Sequence, residues 1–301
     1  MKILISGGTG LIGQALTKKF QKSGHDIVIL TRKNLEHKNQ NSIHFITWDG
    51  RSFPPLVSLI NEADVVINLA GDNIGEGYWT NRKKEQILNS RLFSGTSLSK
   101  AIVEASKKPD VFIQASGVGY YGNSKDKVFD ESSNNGDDFL ANISNQWEDS
   151  SKAVEEVGVR RVIIRTGVVL AKSTGVLPLM ALPFRLFVGG SLGGGDQVIS
   201  WIHLQDEVNA IEFVINNQKI SGPVNLASPY AVKNSEFGKM IAKVLKRPYW
   251  FPTPAFLLKI ALGEKSTLVL EGQTAYPKKL LDEGYQFLFP KLEDALIDIY
   301  K

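Results

Sequence analysis

Three glycines near the start of the chain have the spacing of a phosphate-binding turn. Residues 3–13 read Ile-Leu-Ile-Ser-Gly-Gly-Thr-Gly-Leu-Ile-Gly, which places Gly7, Gly10 and Gly13 between an apolar strand and a segment of helical period. In such a turn the first glycine permits the bend, the second lets backbone amides approach a pyrophosphate, and the third lets the helix pack closely. The helix N-terminus adds positive potential. An ordinary turn is the alternative, but the strand-turn-helix context favours a dinucleotide site.

The end of the second predicted strand indicates which dinucleotide would bind. Proteins that bind NAD usually place an Asp or Glu about 20 residues after the glycines, where it bonds the ribose 2′-hydroxyl. Here the strand ends in Thr31-Arg32-Lys33, without a carboxylate. A charge-assisted bond from Arg32 to a 2′-phosphate would contribute roughly 1.5–3 kcal/mol, or about ten- to hundredfold in affinity. A solvated loop arginine is the alternative, and the position and missing acid together favour NADP(H).

The elements that must hold this turn alternate between short β-branched runs and longer segments of helical period. Runs such as Val65–Leu69 and Val162–Thr166 are apolar on both faces, as strands between two helical layers must be. We therefore predict an α/β fold with a Rossmann-type, doubly wound parallel sheet. The predicted strands are Lys2–Ser6, Asp26–Thr31, Ile43–Thr47, Asp64–Leu69, Val111–Ser116 and Arg161–Thr166, and the main helices are Leu11–Lys22, Asn81–Ser106 and Phe139–Val157.

The alternation breaks after about Gly167. Residues 171–204 are rich in glycine and proline, which predicts loops and short helices. The elements predicted beyond them are a helix at Gln205–Asn216, a strand at Pro223–Ala227 and helices at Ser235–Leu245, Thr253–Leu262 and Leu292–Ile299. We therefore predict an NADP-binding domain at residues 1–170, to which 205–228 return, and a smaller, mostly helical substrate lobe formed by 171–204 and 229–301.

Composition excludes several classes of function. The absence of cysteine excludes thiolate catalysis and cysteine-ligated metals, and the 4 histidines lack metal-ligand spacing, so no metal is expected. The net charge of +4 is spread along the chain, so nucleic acid is not an expected partner. Because the apolar strand and the glycine turn follow Met1 and Lys2 directly, we expect no signal peptide. No apolar run reaches the ~18 residues of a membrane span. We expect a cytoplasmic protein without membrane contact.

The glycine turn resembles that of extended short-chain dehydrogenases/reductases, the superfamily that includes the sugar-nucleotide epimerases. The whole chain more closely resembles an atypical group, the epimerase family proteins of YfcH type. The motifs that carry this resemblance are Asn68-Leu69-Ala70-Gly71, Asn89-Ser90-Arg91-Leu92, Gly119-Tyr120-Tyr121-Gly122, Trp147-Glu148, the run from Arg165 to Leu170, Trp201-Ile202-His203 and Leu270-Glu271-Gly272-Gln273. The resemblance implies NADP(H) and a small substrate related to nucleotide sugars.

Carried over by position, the resemblance also implies a set of cofactor contacts. These contacts are Gly7, Thr9, Gly10, Leu11, Ile12, Gly13, Thr31, Arg32, Asn68, Leu69, Ala70, Gly71, Glu85, Arg91 and Arg165. Glu85 and Arg91 lie six residues apart on one predicted helix and cannot share a face perfectly, so surface charges are the alternative for them. Arg165 ends an apolar strand, where an unpaired guanidinium would be costly. We expect a pyrophosphate or a carboxylate beside it.

The chain has only some of the catalytic residues that are typical of the wider superfamily. Its active members pair a tyrosine with a lysine four residues later on one helix face, so that the ammonium lowers the phenol pKa, and a serine at the preceding strand end positions the substrate. Ser116 has the place of that serine, but the predicted helix Phe139–Val157 contains no tyrosine, and Trp147 near the expected place cannot relay a proton. The spacing of Tyr121 and Lys125 spans turn residues and is interpreted as coincidence. Ser116 and Tyr121 are the remaining catalytic candidates.

Two other polar positions have competing interpretations. His203 follows Trp201 and Ile202, so it is interpreted as a packed histidine rather than a base, with Asp206 as the cap of the next helix. Asp49, which precedes a glycine, could lie near an adenine or could hold a turn. Neither position decides the function.

Two hypotheses of function stay open. In the first, the chain is an NADP-dependent epimerase or reductase whose C-terminal lobe closes over the substrate. In the second, it is a binding module that senses NADPH without catalysing a reaction. The missing tyrosine-lysine pair favours the second hypothesis, whereas the intact cofactor turn and the large lobe favour the first.

Overall fold

Thirteen strands and twelve α-helices make up the structure, a computed structural model that describes all 301 residues. In chain order the strands are β1 (Lys2–Ser6), β2 (Asp26–Thr31), β3 (Ile43–Thr47), β4 (Val65–Asn68), β5 (Val111–Gly117), β6 (Val128–Phe129), β7 (Arg160–Thr166), β8 (Val168–Leu170), β9 (Val198–Ile199), β10 (Trp201–His203), β11 (Gly222–Leu226), β12 (Val232–Lys233) and β13 (Thr274–Ala275). The helices are α1 (Leu11–Lys22), α2 (Leu56–Glu62), α3 (Asn81–Glu104), α4 (Phe139–Asp149), α5 (Ala153–Glu156), α6 (Leu177–Arg185), α7 (Leu204–Asn216), α8 (Asn234–Leu245), α9 (Ala255–Leu262), α10 (Thr267–Leu270), α11 (Lys278–Asp282) and α12 (Leu292–Tyr300).

Seven strands form one sheet in the order β11-β7-β5-β4-β1-β2-β3, and every neighbouring pair is parallel. The remaining six strands form three sheets of two strands each. This arrangement confirms the predicted Rossmann-type fold class. The strand order reverses between β1 and β4, and ligands of such sheets bind in the crevice outside the carboxyl ends of the strands at this reversal.

Helices cover both faces of the large sheet because successive strand residues point to opposite sides. Ile3 and Ile5 join a core that includes side chains of α1 and α7. Leu4 belongs to the opposite core, with side chains of α2 and α3. The apolar runs that predicted buried strands therefore lie between two helical layers.

A third core lies in the C-terminal part of the chain, where α6, α8 and α12 pack together. Phe184, Phe237 and Leu296 represent the three helices in this core. Leu280 and Tyr285, in contrast, pack into the core of the large sheet, so residues after 229 contribute to both units. The division into a cofactor domain and a substrate lobe stays a prediction. No helix combines the length and the apolar character that crossing a bilayer requires.

The structure differs from the predicted elements in two regions. The helix predicted at Phe139–Val157 is interrupted between α4 and α5, because the hydroxyls of Ser150 and Ser151 donate to the carbonyls of Trp147 and Glu148, at 2.6 and 3.1 Å. Within 171–204, the short strands β9 and β10 were not predicted. Runs of two or three residues are too short to show a strand period.

Candidate functional site

The glycine turn joins the carboxyl end of β1 to α1. Gly7 has φ +75°, and a Cβ atom there would lie 2.7 Å from the carbonyl of Leu69. A Cβ on Gly13 would lie 2.5 Å from the Gly7 oxygen, so both positions need glycine. Gly10 is the N-cap of α1, no side chain caps this end, and the first turn holds no acidic residue. The free first-turn amides can therefore donate to an anion such as a pyrophosphate.

The end of β2 lies beside β1 and carries the arginine expected to select the cofactor. Thr31 is buried, and its hydroxyl accepts a hydrogen bond from the Lys33 amide at 3.2 Å. Arg32 is exposed and makes no hydrogen bond or ion pair with the rest of the chain. Its guanidinium is therefore available to a ligand.

Asn68 ties together the carboxyl ends of three strands. Its Oδ1 accepts from the Ser6 hydroxyl at 2.5 Å, and its Nδ2 donates to Gln114 Oε1 at 3.0 Å. These bonds join β1, β4 and β5 next to the glycine turn. The backbone then continues through Leu69 and Ala70, both close to Gly7. The structure thus brings the predicted Asn68–Gly71 segment and the glycine turn together.

Glu85 and Arg91 lie on α3 but in different surroundings. Glu85 is exposed. Nη1 of Arg91 donates to the carbonyls of Ile87 and Asp72, at 2.9 and 3.0 Å, and burial lowers the pKa of Arg91 to about 10. Its guanidinium also lies 4.8 Å from the ring centre of Trp147. Arg91 therefore fixes the loop after β4, and a cofactor contact by the exposed Glu85 stays a prediction.

A buried polar network lies at the ends of β5 and β7. The Ser116 hydroxyl donates to Glu148 Oε1 at 2.7 Å, and Arg165 donates to both oxygens of Glu148 at 2.9 Å. All three side chains are buried. Burial acts to lower the pKa of Arg165, but the hydrogen bonds and charge of Glu148 raise it above its usual value. The guanidinium expected to need a partner therefore has a carboxylate.

Glu148 was missed as a site residue by the sequence reasoning. Its only sequence signal is the Trp147-Glu148 pair among the family motifs. The bidentate contact with Arg165 fixes the carboxylate, and the carboxylate in turn orients the Ser116 hydroxyl.

Two neighbouring tyrosines border this network in different ways. Tyr121 is buried; its hydroxyl donates to Asn225 Oδ1 at 2.7 Å and accepts from Arg165 Nη1 at 3.1 Å. Burial raises the pKa of Tyr121 to about 12. Tyr120 is partly exposed, its ring centre lies 3.4 Å from Arg165 Cζ, and its hydroxyl has no partner in the chain. Catalysis by Tyr121 stays a prediction, but the available phenol is that of Tyr120.

His203 is packed, and it takes the capping role expected of Asp206. Its Nδ1 accepts from the Gln205 amide at 3.1 Å, at the start of α7. Burial lowers the pKa of His203. Asp206 is fully buried and accepts from the amides of Leu288 and Phe289, at 2.7 and 2.9 Å. The prediction of Asp206 as the cap was therefore wrong, because the preceding histidine already supplies the acceptor.

Two turns account for the other polar residues in question. The Asp49 carboxylate accepts from the amides of Arg51 and Ser52, both at 2.8 Å, which is the turn role. Gly122, with φ +71°, ends the 3-10 helix that contains Tyr121, and Lys125 beyond it is exposed. Tyr121 and Lys125 therefore do not share a helix face.

Comparison with known proteins identifies relatives along the whole chain. Residues 3–227 match the family model described as the NAD dependent epimerase/dehydratase family, and residues 253–299 match a domain of unknown function, DUF1731. Epimerase family protein YfhF of Bacillus subtilis is 41% identical over 297 residues, which cover 98% of this chain and 97% of that protein.

Two solved structures are also similar. Human epimerase family protein SDR39U1, crystallised with NADPH, superposes with a TM-score of 0.90 at 34% identity, and 99% of each chain is covered. The nucleoside-diphosphate sugar epimerase of Corynebacterium glutamicum gives a TM-score of 0.80 at 30% identity and covers 99% of this chain and 58% of that one.

Proposed function

The chain belongs to the NAD-dependent epimerase/dehydratase family, and from this membership we propose that it binds NADP(H) and acts as an oxidoreductase or epimerase on a small carbonyl or hydroxyl compound related to nucleotide sugars. The observation that carries the proposal is the uncapped glycine turn at the same sheet edge as the polar network of Ser116, Glu148 and Arg165. A phosphate site beside an ordered polar centre is what a dinucleotide enzyme requires.

NADP(H) is favoured over NAD(H) by the unpaired Arg32. Its position at the end of β2 is where a 2′-phosphate lies in folds of this type, and no carboxylate is there to bond a 2′-hydroxyl. The crystal structure of human SDR39U1 with NADPH supports the same choice. The contacts proposed for the cofactor are the turn from Gly7 to Gly13, the Asn68–Gly71 segment, Thr31 and Arg32.

We propose that the proton donor differs from that of the wider superfamily, because α4 contains neither a tyrosine nor a lysine. Bound nicotinamide would supply or accept the hydride. We propose that Tyr120 donates the proton to the substrate oxygen, because its hydroxyl is free and its ring lies against the charged Arg165. Ser116, whose hydroxyl proton is donated to Glu148, would accept a hydrogen bond from a hydroxyl group of the substrate. Arg165 is a positioning residue, since each of its three guanidinium nitrogens already donates a hydrogen bond within the chain.

The experiment is to follow oxidation of NADPH by the purified protein across a panel of carbonyl compounds and nucleotide sugars. On a compound that is turned over, Tyr120→Phe should lower kcat about 10²–10⁴-fold with NADPH affinity unchanged. The matched variant Tyr121→Phe should lose stability but keep most of the activity, because its hydroxyl serves the fold. A larger loss of kcat in Tyr121→Phe would assign the proton to Tyr121 instead.

A second function is favoured by one observation. Ser116 and Arg165 both donate hydrogen bonds to Glu148, and α4 carries neither tyrosine nor lysine. A module that senses NADPH would need no more than this. Tight NADPH binding together with no turnover of any compound in the panel would support the sensing function and overturn the proposal of an enzyme.

A further inference from the structure

Exposed apolar side chains are concentrated in two segments of the C-terminal part. Ten of the 18 exposed large hydrophobic residues of the chain lie within residues 179–188 and 250–260, and we refer to these ten side chains as the apolar ridge. Contiguous apolar surface of this kind marks an interaction site in a soluble protein. No element of the chain covers it.

The two segments of the apolar ridge are bonded to each other. The amides of Trp250 and Phe251 donate to the Gly189 carbonyl, at 3.0 and 3.1 Å, and the indole of Trp250 donates to the Phe187 carbonyl at 2.8 Å. Phe187 has φ +62°, a strained conformation for a bulky residue. The guanidinium of Arg247 lies 4.6 Å from its ring centre. These contacts therefore keep the Phe187 side chain exposed although its positive φ is unfavourable for a bulky residue.

The two helices that carry residues of the apolar ridge, α6 and α9, show that this exposed surface is separate from the C-terminal core. On α6, Leu177 and Phe184 pack into the C-terminal core, whereas Leu179 and Leu182 lie on the opposite face and are exposed. Helix α9 has no buried residue, although seven of its eight residues are apolar. A helix that is apolar on every side is normally covered. The apolar ridge therefore lacks its partner.

The charges around the apolar ridge indicate what this partner is. Residues 173–195 and 237–263 contain no Asp or Glu but six Lys and Arg, although the whole chain has a net charge of only +4. Of these six, only Lys243 forms an ion pair, with Glu293. Three carboxylates border these segments along the chain: Asp196 and Glu264 are paired with Lys233 and Lys84, and Glu236 forms no ion pair. Two of the unpaired cations lie at the apolar ridge itself, since Arg247 lies against the Phe187 ring and Lys259 belongs to α9.

We propose that the apolar ridge docks on an anionic lipid bilayer. Surfaces that insert into the headgroup region combine Trp, Phe and Leu with Lys and Arg, so that apolar burial and attraction to anionic lipids act together. A second copy of the chain would bring the same cations towards one another, which opposes association. The sequence-based expectation of no membrane contact is thereby revised to peripheral contact, with no helix crossing the bilayer.

The chain contains its own reporter for this contact. Trp250 is 68% exposed, whereas each of the other four tryptophans is at most 8% exposed. The experiment adds vesicles of phosphatidylcholine, with or without phosphatidylglycerol, and measures tryptophan emission and vesicle flotation. Anionic vesicles should shift the emission to shorter wavelength and float about tenfold more protein than zwitterionic vesicles. Unshifted emission, with the protein left unbound, would overturn the proposal.

Two variants separate the contributions of the apolar ridge. Phe251→Ser combined with Phe256→Ser keeps the reporter and should reduce flotation about tenfold, because apolar insertion is lost. Lys259→Glu should reduce it on anionic vesicles only. The matched control is Tyr230→Ser, which removes an exposed aromatic ring outside the apolar ridge and should change nothing. Equal flotation of the control and the double variant would contradict the proposal.

Light scattering after size-exclusion chromatography, without vesicles, tests whether a second copy of the chain covers the apolar ridge instead. A monomer is expected, and NADPH affinity of each variant verifies that the fold is intact. A stable dimer that the Phe251 and Phe256 substitutions dissociate would assign the apolar ridge to a second copy and overturn the bilayer.

Discussion

The glycine turn and the polar network lie at one edge of one sheet, but the chain builds them in different ways. The turn uses consecutive residues, 7–13, and offers mainly backbone amides. The network joins Glu148 to Ser116 and Arg165, which lie 32 and 17 residues away along the chain. The turn is open to a ligand, whereas the network is buried and satisfied. Substitutions in the turn should therefore affect cofactor binding, and substitutions in the network should affect folding.

The largest effect is expected from Glu148→Ala. The substitution leaves the Arg165 guanidinium buried without its carboxylate, which should lower the free energy of unfolding by about 3–5 kcal/mol. Urea denaturation measures the change. The control is Glu293→Ala, which breaks the largely exposed pair with Lys243 and should lower the same quantity by less than about 1 kcal/mol. Equal losses in the two variants would remove the distinction between the network and an ordinary surface pair.

The next prediction concerns Glu207, whose carboxyl group lies next to the end of β7. It is completely buried, its Oε1 accepts from the Thr166 hydroxyl at 2.8 Å, and its Oε2 has no partner. Burial raises the pKa of Glu207 from 4.5 to about 8. The folded protein therefore retains a proton that the unfolded chain releases. Its contribution to stability is complete below about pH 4.5 and is lost as the pH rises towards 8.

Glu207→Gln removes this titration and keeps an acceptor for Thr166. At pH 8 the variant should unfold with a free energy about 2–4 kcal/mol higher than the unsubstituted protein, and near pH 4 the two should agree within about 0.5 kcal/mol. Denaturant titrations at both pH values measure this. A difference that does not depend on pH would mean that the carboxyl group is not protonated when folded.

The same contrast explains what the sequence could predict. The strands of the large sheet and the glycine turn were predicted because their signals lie within a few consecutive residues. Ser116 and Arg165 were identified one at a time, but their joining through Glu148 depends on how α4 crosses the sheet. The helix predicted at Thr253–Leu262 shows that a local signal can predict an element without predicting its burial. Its apolar pattern indicates a buried helix, yet α9 is exposed, because pattern alone does not show what lies opposite.

On the side of the turn, Arg32→Ala tests the choice of cofactor. Loss of the bond to the 2′-phosphate should weaken NADPH binding by about ten- to hundredfold, while NADH binding and the free energy of unfolding stay unchanged. Fluorescence titrations with both nucleotides measure the affinities. Lys33→Ala, which removes the adjacent exposed cation, is the control and should have a smaller effect. Equal affinity of the unsubstituted protein for NADPH and NADH would refute the assignment of Arg32.

The smallest effect is expected from Gly10→Ala, and it is the most direct test of the turn. The new Cβ would meet only the Gly7 oxygen, at 3.3 Å, so the free energy of unfolding should change by less than about 1 kcal/mol. The same methyl group would stand where a pyrophosphate approaches the backbone, which should weaken NADPH binding about tenfold. Gly13→Ala supplies the contrast, because its Cβ would lie 2.5 Å from that oxygen and should reduce stability as well as binding. A bound pyrophosphate and the new methyl group would compete for the same space beside Gly10. Unchanged NADPH affinity in Gly10→Ala would therefore mean that the backbone of the turn is not the phosphate site.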